Sequence, residues 1–187
     1  MNIVETGIPG LVVIEPRVFA DDRGYFFETF HEERYREAGI IKPFIQDNES
    51  RSTKGVVRGL HYQLGDAAQA KLVRVVQGAV YDVAVDLRKG SPTFGQWFGV
   101  QLDENNKKQL YVPRGFAHGF SVLSDTAIFT YKCDNLYNPA TERSINPFDE
   151  TIGIDWQLGE SEKIVSEKDL AGPDFADAEM NFVYDQQ

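Results

Sequence analysis

Arg58-Gly59-Leu60-His61-Tyr62-Gln63 sets a guanidinium and an imidazole into a stretch that otherwise reads as a buried β-strand. A titratable group in such a place is either satisfied by a partner or serves a site, because burying it unpaired is costly. Taken alone, His61 fits a hydrogen-bonded core histidine as well as a general base. Its company favours chemistry. Lys71 opens a following strand, and Pro113-Arg114-Gly115-Phe116-Ala117-His118-Gly119-Phe120 puts a second histidine after a Pro-x-Gly-x-x-His turn that aims the ring off a strand end. Tyr131 alternates with Phe129 and Cys133 in a later strand. Singly, Lys71 reads as a solvated strand end and Tyr131 as a rim aromatic. Together an imidazole, an ammonium and a phenol on neighbouring strands supply a base, an oxyanion stabiliser and a proton donor, which proton transfer beside a carbonyl requires. Arg23, Arg58 and Lys168 are cations able to hold an anionic handle.

Metal binding is the rival use for two histidines. A tight site takes three or four ligands, yet Tyr and Gln follow His61, Cys133 stands alone and no His-x-His lies nearby, so the reading is metal-free. A second difficulty is geometric: Arg58 and His61 are three apart, so a regular strand aims them at opposite faces. Either Gly59 makes a bulge or Arg58 precedes the regular part of the strand.

Sheets must position these groups. Strands are predicted over 11–14, 25–30, 44–52, 56–63, 71–77, 80–87, 96–102, 109–112, 119–123 and 127–134. A helix is predicted over 31–39, ending at Gly39, and another begins at Ser166-Glu167-Lys168-Asp169. Short strands at regular spacing, separated by turn signals such as Gly78 and Lys89-Gly90-Ser91-Pro92, indicate one all-β sandwich or barrel domain. Over 81–87, Tyr81, Val83, Val85 and Leu87 share one face and Asp82, Ala84 and Asp86 the other, so the acids are expected to meet solvent or cations.

Composition narrows the function. The 187 residues can bury a core without disulfides, and Cys133 has no internal partner. Nineteen Lys and Arg against 29 Asp and Glu give a net charge of −10 with no basic run, which argues against nucleic acid and anionic membranes as partners. The N-terminus has neither a basic region nor a long apolar segment, so a cytoplasmic protein is expected.

With Asp82-Val83-Ala84-Val85-Asp86-Leu87-Arg88, Ser91-Pro92-Thr93-Phe94-Gly95, Gly115-Phe116-Ala117-His118-Gly119-Phe120 and Ser166-Glu167-Lys168-Asp169 added, the chain resembles the dTDP-4-dehydrorhamnose 3,5-epimerase family from about the first strand to Asp169. The resemblance implies an all-β, cupin-type jelly roll with a few short peripheral helices, free of metal and cofactor. It implies a cytoplasmic homodimer that inverts carbons 3 and 5 of dTDP-4-dehydro-6-deoxy-D-glucose on the way to dTDP-L-rhamnose. By the same resemblance His61 is the base, Tyr131 the proton donor, Asp169 the acceptor of a hydrogen bond from the imidazole, and Lys71 the group near the sugar ketone. Arg23, Phe26, Glu28, Gln46, Asp47, Asn48, Arg58, Lys71, His118, Tyr137, Glu142 and Lys168 would bind the nucleotide sugar, with Phe26 and Tyr137 flanking the thymine. The arm bearing Arg23 and Glu28 would reach the partner subunit's pocket. The chain departs from the family's pattern at Asn146-Pro147-Phe148, at Arg114 and at Ala67-Ala68-Gln69-Ala70. Alternatives within the same motifs are inversion at carbon 3 only or a ketoisomerase. A sugar nucleotide binding module or a metal-dependent cupin is the alternative from another class.

Overall fold

A computed structural model describes residues 1–185. In chain order the elements are β1 (Asn2–Glu5), β2 (Val12–Glu15), β3 (Phe19–Asp21), β4 (Gly24–Phe26), α1 (Glu32–Glu37), β5 (Gln46–Thr53), β6 (Val56–Gln63), β7 (Lys71–Gln77) and β8 (Ala79–Asp86). There follow β9 (Trp97–Asp103), β10 (Gln109–Val112), β11 (Phe116–Val122), β12 (Thr126–Cys133), β13 (Glu142–Ser144), β14 (Ile164–Val165) and α2 (Glu167–Leu170). One sheet runs β1-β2-β10-β7-β12-β5; the other runs β13-β6-β11-β8-β9, with β14 added in parallel to β6. β3 and β4 form a separate hairpin. This is the all-β sandwich that strand spacing indicated, in the cupin-type jelly-roll form that the family resemblance implied.

The alternation of each strand decides what fills the space between the sheets. Val73, Val75, Leu110, Val112 and Phe129 of the first sheet meet Val80, Ala84, Phe116, Phe120 and Val122 of the second. On the outside of the first sheet, Val12, Ile14 and Leu72 are covered by Tyr35 of α1 and by Ile40. Outside the second, Val57, Leu60, Val83, Val85 and Leu87 are covered by Ile145, Ile152 and Trp156 from the returning chain.

That second cover corrects the reading of 81–87. The apolar face packs outward beneath the C-terminal segments, and the face carrying Asp82, Ala84 and Asp86 points into the barrel. Both acids are fully buried and meet side-chain partners in place of solvent: the His118 imidazole beside Asp82, the Arg88 guanidinium beside Asp86. Four other expectations shift. His118 lies inside β11 and not off a strand end, because the turn closes at Gly115, whose φ is +87°, and pairing starts at Phe116. The strand predicted over 25–30 stops at Phe26 and pairs with β3, in a stretch where no strand is predicted. Ahead of the first predicted strand, residues 2–5 form β1, paired to β2. β13 was unforeseen, three half-buried polar residues with no apolar alternation to mark them.

Candidate active site

β6 carries the central residue, and its irregularity answers the geometric question. His118 pairs with His61 and Phe120 with Arg58, so two residues of β11 span three of β6, a bulge at Gly59. Gly59 has a φ of +126°, and a Cβ there would stand 2.6 Å from the Gly119 Cα and 2.9 Å from the His118 carbonyl oxygen. Only glycine fits. Leu60 consequently turns outward into the second core, and His61 turns inward.

His61 lines a cavity of about 230 Å³ between the sheets, together with Lys71, His118, Tyr131, Gln63 and Glu142. Gln46, Asn48 and Tyr137 complete its mouth. His61 and His118 come from the second sheet, Lys71 and Tyr131 from the first, so the two sheets present different chemistry to one space.

The His61 ring is held from behind. Its Nε2 lies 2.8 Å from Asp169 Oδ1, and Asp169 is a residue of α2 whose N–H is capped by Ser166 Oγ at 3.1 Å. The Gly59 N–H donates to the other Asp169 oxygen at 3.3 Å. Burial pushes the Asp169 carboxyl upward, but the hydrogen bonds from His61 and Gly59 outweigh it and hold the group below its usual range. An ionised Asp169 accepts a hydrogen bond from Nε2–H, which fixes the tautomer and leaves Nδ1 with its lone pair free to accept a proton.

Opposite, His118 Nε2 lies 3.0 Å from both oxygens of Asp82. Burial pushes the Asp82 carboxyl up and the His118 imidazole down, and each group only partly offsets the effect on the other. Burial also lowers Lys71, against the pull of Cys133, Asp82 and Glu142. Its ammonium sits 5.8 Å from the Tyr131 ring centroid. Burial raises the Tyr131 phenol, helped by Cys133 and opposed by the Arg58 charge, so the phenol keeps its proton at neutral pH.

At the rim, Lys168 Nζ and the Tyr137 hydroxyl both donate to Glu142 Oε2, at 2.7 and 3.0 Å. Gln46 accepts from the Tyr137 N–H at 2.9 Å, and Asn48 donates to Cys133 Sγ at 3.7 Å. Arg58 Nε donates to Ser52 Oγ at 3.0 Å. Asp47 is turned away by the alternation of β5 and pairs with Lys132 on the outer face. Arg23, Phe26 and Glu28 are also outside this cavity: Arg23 pairs with Asp21 at the tip of the β3–β4 hairpin, and Glu28 pairs with Arg34 of α1. Arg114, one of the departures from the family pattern, pairs with Asp134 at 2.8 Å. The polar groups that the sequence reading missed include Gln63 in the lining and Asp82 behind His118. Gln63 stands two residues from His61 on the same face, a signal that alternation supplies; Asp82 needed the knowledge that its face looks inward. Among the described residues no group of three His, Cys, Asp or Glu is placed to hold a metal ion.

The model of the family described as dTDP-4-dehydrorhamnose 3,5-epimerase matches residues 5–177. The chain belongs to that family. The dTDP-4-dehydrorhamnose 3,5-epimerase of Shigella flexneri is 53% identical over 180 residues, covering 96% of this chain and 98% of that protein. The crystal structure of the enzyme of the same name from Elizabethkingia anophelis superposes with a TM-score of 0.91 at 52% identity, covering 95% of this chain and 97% of that one. A dTDP-6-deoxy-D-glucose-3,5-epimerase from Legionella pneumophila, solved in complex with dTDP-4-keto-L-rhamnose, gives a TM-score of 0.89 at 53% identity, with 92% of each chain covered. Membership of the dTDP-4-dehydrorhamnose 3,5-epimerase family makes the chain an isomerase and gives the inward histidine, lysine and tyrosine a reaction to be judged against.

Proposed function

We propose that the chain inverts carbons 3 and 5 of dTDP-4-dehydro-6-deoxy-D-glucose by removing and returning protons beside the C4 ketone. The supporting observation is that a held imidazole and a protonated phenol reach one cavity from opposite sheets. Inversion requires a proton to leave one face of the sugar and return to the other. In this reading Nδ1 of His61 takes the hydrogen from carbon 5 or carbon 3, and the electron pair moves to the carbonyl oxygen as an enolate. The Lys71 ammonium stabilises that oxygen; an oriented donor there contributes about 3 to 4 kcal/mol. Tyr131 gives its phenolic proton to the opposite face at carbon 5, and water does so at carbon 3. Asp169 stabilises the imidazolium.

The same proposal makes the protein a cytoplasmic homodimer. Arg23, Phe26 and Glu28 lie outside their own subunit's cavity, and the hairpin shows Phe19, Tyr25 and Phe26 to solvent at 51, 59 and 67% exposure. Three exposed aromatics on one short arm call for a cover, and a second subunit's site supplies it. The test of the reaction is incubation with the 4-keto sugar nucleotide in heavy water. Deuterium at both carbons with double inversion, read by NMR, is the expected result; deuterium at carbon 3 alone makes the chain a single epimerase, and no incorporation ends the proposal.

A further inference from the structure

Lys107 is a cation for which the mechanism above has no use. It lies in the turn between β9 and β10 with a φ of +55°, and the residue is only 8% exposed. Lysines ordinarily keep the ammonium in water. This one rests on the arm: its Nζ is 4.0 Å from the Tyr25 ring centroid and 6.0 Å from that of Phe27. The Arg74 guanidinium of β7 approaches Phe27 from the same body, 5.9 Å from the centroid. Tyr25 and Phe27 are two residues apart, so the pleat sends Phe26, between them, the other way. Phe26 is 67% exposed; Tyr25, itself 59% exposed, has one face over the Lys107 ammonium, and Phe27 lies beside both cations.

We infer that Lys107, assisted by Arg74, pins the β3–β4 arm to the body through Tyr25 and Phe27, so that Phe26 is presented at a fixed angle to the nucleobase in the neighbouring subunit's site. The inference rests on the arm-exchange reading above. Lys107 is on this account a positioning residue for substrate binding: a cation shielded from water gains more from an aromatic face than an exposed one, and the arm loses conformational freedom before the substrate arrives. Its contribution is made equally to substrate and transition state, so it acts on KM and not on kcat.

Lys107→Met keeps the apolar stem and removes the charge. The expected result is a KM for the 4-keto sugar nucleotide raised roughly three- to tenfold, with kcat unchanged within about twofold. Lys107→Arg restores KM. Amide hydrogen exchange over residues 19–27 speeds up in the Met variant and returns to normal in the Arg variant. Tyr25→Ala reproduces the KM shift, and the double variant adds nothing to it. Faster exchange with an unchanged KM overturns the inference and leaves arm exchange standing, as does an additive double variant. A Phe26→Ala protein with normal KM overturns both.

Discussion

His61 and His118 are direct register partners across β6 and β11, yet each ring leans on a different carboxylate. Asp169 reaches His61 from α2, after a chain excursion of 108 residues, and Asp82 reaches His118 from the adjacent strand β8. The difference in surroundings separates their work. Asp169 accepts hydrogen bonds from two donors and stays ionised, which suits the partner of a base that must become a cation. Asp82 is fully buried beside the buried His118 imidazole and Lys71, an arrangement that in the proposed reaction orients groups around the carbonyl.

The base assignment predicts that His61→Asn loses both hydrogen exchange and inversion while keeping its thermal transition. Asp169→Asn leaves the ring in place with the wrong tautomer, and kcat falls by roughly 10³- to 10⁴-fold, as when the orienting carboxylate of another histidine base is neutralised. Retained solvent exchange in the His61 variant assigns the abstraction to another group.

Tyr131→Phe separates abstraction from return. Such a protein still exchanges ring hydrogens through His61 but inverts carbon 5 poorly, and deuterium then appears at carbon 5 of unconverted substrate. Because burial raises the phenol above its ordinary pKa of 10.0, loss of the Tyr131 proton cannot produce an alkaline limb near pH 8. Normal inversion in the Phe variant removes Tyr131 from the role.

What was legible in the sequence follows from where the information is local. Strand alternation located nine of the twelve strands that build the two sheets, and Ser166 with Asp169 marked the cap of α2 correctly, because capping is written in four neighbouring residues. The bulge at Gly59 was one of two options in the sequence; choosing it required the backbone of Gly119, sixty residues away. Asp82 stayed hidden for a related reason. Alternation assigns two faces to β8 but does not say which is inside, and the decision belongs to Ile145, Ile152 and Trp156, which cover the apolar face from the far end of the chain.

Asp82→Asn tests the electrostatic side of the site through pH. Burial lowers the Lys71 pKa, and Asp82 is among the charges that raise it. Neutralising Asp82 lets the Lys71 pKa fall further, so the ammonium is lost earlier as pH rises and the alkaline limb of kcat/KM moves to lower pH. A limb that stays where it was assigns the titration to a different group.

Asp86→Asn addresses stability. The carboxylate is fully buried, accepts from Arg88 Nε and Nη2 at 2.8 Å each, and also from Ser91 and Thr93 at 2.6 and 2.8 Å. Removing it strands the Arg88 guanidinium, a loss of about 3 to 5 kcal/mol for a broken buried pair, read as a lower urea midpoint. Burial pushes Asp86 up, but these hydrogen bonds win and its folded pKa lies below the ordinary 3.8. A depressed carboxylate stabilises the fold fully above 3.8 and ceases to do so as pH falls through the folded value. The Asn variant therefore loses less stability than the wild type as pH falls below 3.8. Parallel acid unfolding curves for the two proteins contradict the assignment.

Arm exchange is open to a complementation test, because two defects placed in different subunits behave differently under the two geometries. His61→Asn kills the cavity of its own chain, and Arg23→Ala cripples the arm. In a mixed dimer with exchanged arms, the intact cavity receives the intact arm of the His61→Asn subunit, and one site of the two works normally. If each arm served its own subunit, the intact cavity would receive the crippled arm, and neither site would work. Mixing equal amounts of the two inactive homodimers under conditions that allow subunits to re-associate at random is expected to restore activity towards about a quarter of the wild-type value, half of it per mixed dimer, with Phe26→Ala in place of Arg23→Ala giving the same recovery. Mixed dimers isolated with two affinity tags that show no recovery place each arm at its own subunit's site, and the exposed face of the hairpin then needs a different cover.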